Sequence, residues 1–153
     1  MSHGSAQDAT QGAYEDALRA GVFAALAGHP ADSASLEEER NDSQADIWSL
    51  TIHPARVGAA TASVTFAGGD EVVLGFGETH AYMWDDDPNS LAEEVRQVLT
   101  AVFAGHFEEV GMRNDARVRV MLDDGRVWRG GSMGLPVTWT LRRVRKYLPL
   151  SGE

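Results

Sequence analysis

Between Ile47 and Phe76 apolar residues recur at every second position in short runs broken by turn-forming residues. Trp48, Leu50 and Ile52 alternate with Ser49, Thr51 and His53, and Pro54 ends that run. Val64 and Phe66 alternate in residues 63–67, Gly68-Gly69-Asp70 supplies turn chemistry, and Glu71 to Phe76 returns. A period of two marks a strand with one buried face, and a glycine-rich link between two such runs marks a hairpin. Gly75 and Gly77 indicate a bulge or bend before the chain continues as Thr79 to Trp84.

Helical spacing flanks this block. Tyr14, Leu18, Val22 and Leu26 step by four through residues 12–28, and Gly28-His29-Pro30 stops the pattern. From Ser90 to Val110 a continuous apolar stripe runs through Leu91, Val95, Val98, Leu99, Val102, Phe103 and Phe107, with Gly111 as a C-cap. Arg117 to Leu122 alternates again, Asp124-Gly125 is a strong hairpin signal, and Arg126 to Arg129 pairs back. After Pro136, the residues Leu141, Val144 and Leu148 fit a last helix, although residues 137–140 read equally well as a strand. The order predicts an α+β fold: a mainly antiparallel sheet of five or six strands with three helices packed on it. Residues 12–150 are expected to form one domain. Residues 1–11, small and polar, are expected to be disordered, and residues 29–46, with Leu36 as the one strong hydrophobe, to form an acidic loop.

At 153 residues the chain can bury a real core. With no cysteine it has no disulfide, thiolate metal site or cysteine nucleophile. The N-terminus lacks a basic n-region, and no stretch approaches the ~18 apolar residues that span a bilayer, so a soluble cytoplasmic protein is expected. Arginine outnumbers lysine twelve to one, a composition that hints at a bacterial genome rich in GC. The net charge of −10 is uneven: residues 1–112 hold 19 acidic and 4 basic side chains, and residues 113–153 hold 4 acidic and 9 basic. Such a balance disfavours nucleic acid and anionic membrane and suits a basic protein partner.

The stretch GETHAYMWDDDP, residues 77–88, concentrates ionisable groups. If residues 76–84 were one extended strand, Glu78 and His80 would project from one face ~6–7 Å apart, with Asp85, Asp86 and Asp87 just beyond. That geometry suits a metal or a carboxylate–imidazole pair. The aspartates also precede the strongest helix, where Ser90 and Glu93 read as a capping box and carboxylates meet the positive end of the dipole. His53, His80 and His106 could converge, but no spacing requires it. Neither a nucleophile elbow nor a phosphate-binding loop is present; Gly130-Gly131-Ser132-Met133-Gly134 lacks the lysine of such a loop. The basic cluster Arg142, Arg143, Arg145 and Lys146, with Arg117, Arg119, Arg126 and Arg129, reads as an internal counterweight to the acidic part of the chain.

The function expected from these features is that of a small non-enzymatic interaction protein, of the immunity-protein or adaptor class, binding a basic protein partner through Glu37, Glu38, Glu39, Asp85, Asp86 and Asp87. No catalytic residue and no cofactor is assigned. Two alternatives remain open: an acid/base or metal-assisted enzyme using Glu78, His80 and Asp85 to Asp87, and a small-ligand domain with an aromatic pocket near Trp48, Trp84 and Trp139.

Overall fold

The computed structural model describes residues 3–41, 47–112, 115–131 and 144–152. In chain order these form α1 (His3–Leu26), a short 3-10 turn (Ala31–Ser33), β1 (Ala34–Asn41), β2 (Ile47–Pro54), β3 (Ala62–Phe66), β4 (Glu71–Phe76), β5 (Thr79–Trp84), α2 (Pro88–Phe103), β6 (Phe107–Met112), β7 (Asp115–Met121), β8 (Val127–Gly131) and β9 (Val144–Lys146). The fold is α+β and antiparallel, but it holds two sheets rather than one. The first has the order β1-β2-β3-β4-β5 and the second β8-β7-β6-β9. Two α-helices are present among the described residues, not three. Val144 to Lys146, expected in a last helix, pairs instead with β6; Trp139 and residues 137–143 lie outside the described residues.

The alternating residues face as their spacing predicts. Trp48, Leu50 and Ile52 of β2, Val64 and Phe66 of β3, and Val72, Leu74 and Phe76 of β4 are all buried. The buried Tyr14, Leu18 and Val22 of α1 and Leu91, Val95 and Leu99 of α2 belong to the same core; Tyr14 stacks on Phe66 with ring centroids 5.0 Å apart. The helices meet closely at Gly21, where a β-carbon would stand 2.9 Å from the carbonyl oxygen of Ala92. The core continues into the second sheet through Phe107, Val118 and Val120. Phe107 meets Phe76 edge-on and stacks on Tyr147.

Four boundaries differ from the expected ones. First, α1 begins at His3, nine positions before Gly12. Second, the expected acidic loop contains a strand, because β1 pairs along its whole length with β2. Its inward positions are Leu36, Glu38 and Arg40, and the two charged ones are satisfied by α1. Glu38 accepts from Arg19 and, at 2.6 Å, from Trp48 Nε1; Arg40 donates to the buried Glu15 at 2.5 Å. Inward charge on an edge strand blunts edge-to-edge pairing, and it also hides the strand from a hydrophobic pattern.

Third, α2 ends at Phe103 rather than Val110. Gly105 adopts φ +77°, and Phe107 to Met112 pairs with β7 as an extended strand. Fourth, residues 76–84 are not one strand. Gly77, at φ +61°, and Glu78 form a two-residue turn, and Phe76 pairs with Thr79 across it. The N-cap of α2 also shifts. Asp87 takes that place, its carboxylate accepting from Asn89 N at 3.1 Å and Ser90 Oγ at 3.0 Å, with Pro88 at the first helical position. Glu93 binds Arg96 instead of closing a box with Ser90.

Candidate functional site

Among the described residues, helices cover only one face of the five-stranded sheet. On the other face the register lines up side chains in rows across the strands. One row runs Glu37, Thr51, Ser63, Gly75, His80, and the next Glu39, Ser49, Thr65, Val73, Tyr82. Glu71 and Trp84 face each other beyond them. The middle of this outer face is thus paved with four hydroxyls. Carboxylates stand at the β1 margin and aromatics at the β5 margin.

Tyr82 and Trp84 are 61% and 66% exposed. They face outward because the two-residue turn at Gly77-Glu78 sets the phase of β5 so that Thr79, Ala81 and Met83 point inward. Gly75 lets Ser63 and His80 close in over its backbone: a β-carbon there would lie 2.5 Å from Ser63 Oγ and 3.6 Å from His80 Nε2.

At the β1 margin, His53 Nε2 lies 2.9 Å from Glu37 Oε2. That hydrogen bond holds the Glu37 carboxyl below the usual range, whereas Glu39, hydrogen-bonded to Glu37, is pushed up. Glu39 therefore takes a proton before Glu37 as pH falls. Both groups are exposed, so they act through charge and not through burial.

Of the six residues expected to form a partner surface, two face outward together. Glu37 and Glu39 share the outer face. Glu38 points the other way, toward α1. The bond from Arg19, followed by that from Trp48, holds its carboxyl low. Asp85, Asp86 and Asp87 follow β5 at the opposite edge, roughly 19 Å away at ~4.8 Å per strand. There Asp85 N donates to Asp70 O at 3.0 Å, and Tyr14 OH donates to Asp85 O at 2.7 Å. Burial first, and then Asp70, Asp86, Asp85 and Asp87 together, raise the Tyr14 hydroxyl, so these carboxylates form one acidic corner. Asp87 in that corner is committed to capping α2. Glu71, which the sequence reading did not single out, joins Glu37 and Glu39 on the outer face.

The residues considered for other chemistry separate. Glu78 sits in the turn and pairs with Arg145 at 2.7 Å, while His80 belongs to the outer face. Among the described residues, no group of three or more histidine, aspartate or glutamate side chains is arranged to hold a metal ion. Trp48 is buried on the inner face and Trp84 is exposed on the outer one, so the two do not line a common pocket. His106 falls in the exposed link between α2 and β6.

A buried polar cluster went unnoticed in the sequence. Glu109 of β6, 3% exposed, accepts from Glu78 N at 3.0 Å and from the hydroxyls of Thr79 and Tyr147. Burial first, then Glu109, pushes the Tyr147 hydroxyl up to about 12. Each polar atom has a partner, and the cluster ties the turn between β4 and β5 to β6. Only the alternation Phe107-x-Glu109, read as strand, could have shown that Glu109 points inward.

No protein-family model matches this chain, and no curated protein or solved structure is significantly similar to it. No helix among the described residues is long and apolar enough to cross a membrane.

Proposed function

We propose that this protein is a non-enzymatic interaction module that receives a basic protein partner on the outer face of its five-stranded sheet. One observation carries the reading. Among the described residues that face displays Glu37, Glu39 and Glu71, two exposed aromatics, and no lysine or arginine. Carboxylates at the margins steer a cationic surface into place and favour it over an anionic one. Tyr82 and Trp84 supply the apolar area and the π faces that accept a guanidinium or ammonium group. The chain already uses that contact internally, where the Arg19 guanidinium lies 5.4 Å from the Trp48 ring centroid. In class, though not in sequence, this resembles the way immunity proteins and small adaptors work. Asp85 and Asp86 extend the negative field at the far corner.

The test compares wild type with a Glu37→Lys, Glu39→Lys, Glu71→Lys protein in affinity capture from a lysate of the source organism. A basic protein held by wild type should be lost from the variant, with an association rate that falls steeply between 50 and 500 mM salt, about tenfold or more. Equal retention by both proteins, or salt-independent association, rules out this face.

A further inference from the structure

The second sheet presents the opposite charge. On its exposed face the register aligns Lys146, Glu108, Arg119 and Arg129 in one row, with Arg117 beside them in the next. Glu108 lies among these cations, 3.3 Å from Arg119. Met121, Val127 and Val144 point the same way; Met121 is 57% and Val144 54% exposed. The protein therefore carries one open sheet face that joins carboxylates to aromatics and another that joins guanidinium groups to aliphatic side chains.

We propose that these two faces bind each other between copies, the acidic face of one chain receiving the basic face of the next. This rests on the outer face of the first sheet being a docking surface, as argued above, and names one occupant for it. Three carboxylates meet a surplus of cations, and each face brings apolar area to exclude water from the contact. The arginines have two π faces to cover, Tyr82 and Trp84, as Arg19 covers Trp48. Because different surfaces meet, the contact is heterologous and leaves each end of a dimer able to add another copy. Four or five strands span only ~15–20 Å, so the interface belongs to the small, transient class. The net charge of −10 opposes approach at low salt. At ~0.1–0.15 M salt that repulsion is screened beyond ~8–10 Å while the contact itself is not, so association should be strongest there.

Sedimentation velocity on the whole chain, from 5 to 500 μM in 0.15 M salt, tests this with three proteins. Wild type should show a sedimentation coefficient that rises with concentration. The Glu37→Lys, Glu39→Lys, Glu71→Lys variant and an Arg117→Glu, Arg129→Glu variant should each associate at least tenfold more weakly. An equimolar mixture of the two variants should restore a dimer, because one retains the basic face and the other the acidic face. Near-ultraviolet circular dichroism confirms that each variant is folded before it is mixed; if either misfolds, Glu37→Gln, Glu39→Gln and Arg117→Gln, Arg129→Gln proteins replace the pair. A wild type that stays monomeric at 500 μM, or a mixture that stays monomeric, overturns the proposal. If wild type is monomeric yet captures a basic protein through Glu37, Glu39 and Glu71, self-association fails and the proposed function stands. Self-association unchanged in both variants overturns the proposal as well.

Discussion

The buried carboxylate of Glu109 accepts the backbone N–H of Glu78 at 3.0 Å, so a side chain of the second sheet closes a turn of the first. The same carboxylate holds Thr79 and Tyr147, while Glu78 turns outward to Arg145. The phase of β5 depends on this turn, and with it the outward placement of Tyr82 and Trp84.

Replacing Glu109 with alanine should therefore cost more than a typical surface change. It leaves a backbone donor and two hydroxyls without their acceptor, a loss on the order of 2–4 kcal/mol. At ~2–4 °C per kcal/mol for a chain of this size, calorimetry should show a fall of roughly 5–15 °C. Glu109→Gln, which keeps one acceptor oxygen, should fall less. An unchanged melting temperature for Glu109→Ala would show that the joint between the sheets holds without it.

Gly77 and Gly69 both adopt positive φ, at +61° and +70°, but only Gly77 is crowded. A β-carbon at Gly77 would stand 2.8 Å from Glu109 Cδ, whereas one at Gly69 meets nothing within 4 Å. Gly69→Ala should cost ~1 kcal/mol, the left-handed penalty alone. Gly77→Ala should cost at least ~1–3 kcal/mol more, because Glu109 and Tyr147 must move. Urea unfolding of the two variants side by side checks the difference, and equal midpoints would contradict it.

Tyr147 predicts an alkaline limb. Burial, with Glu109 beside it, raises its hydroxyl from 10.0 to about 12. The folded state thus holds this proton more tightly than the unfolded chain does. The resulting stability is complete below pH 10 and is lost as pH rises toward 12. Tyr147→Phe should be less stable than wild type at pH 8 but should lose less between pH 10 and 12. Part of the limb should remain in that variant, because burial also raises Tyr14. Parallel slopes for the two proteins in thermal melts across that range would remove Tyr147 as its source.

The start of α2 separates two capping assignments. Asp87 accepts from Asn89 N and Ser90 Oγ, whereas Ser90 donates only to Asp87. Asp87→Ala should cost about 1 kcal/mol, within the 0.5–2 range for lost N-caps, and Ser90→Ala should cost clearly less. Thermal melts in which Ser90→Ala is the worse of the two would return the cap to Ser90.

Local pattern decided much of this fold. Alternation at Trp48, Leu50 and Ile52 placed those residues inward whatever neighbours they would find, because the side chains of a strand alternate by geometry. The stripe from Leu91 to Phe103 did the same for α2, and Asp124-Gly125 fixed its hairpin, where Gly125 N donates to Leu122 O at 3.0 Å. The acidic surplus of residues 1–112 was equally legible. Only tertiary structure decided the rest. Ala34 to Asn41 is a strand because β2 offers its edge and α1 offers Arg19 and Glu15 to the inward charges. Phe107 and Val110 suit a helix or a strand by spacing, and pairing with β7 chose the strand. The turn at Gly77 depends on a carboxylate thirty-two positions away. The candidate site depended on the same kind of information. Glu37 and Glu39 separate from Glu38, and Trp84 from Trp48, because α1 and α2 bury one side of the first sheet and leave the other to solvent. A sequence shows which residues alternate, but which face stays open depends on what packs against the sheet, and that is a long-range contact no local period encodes.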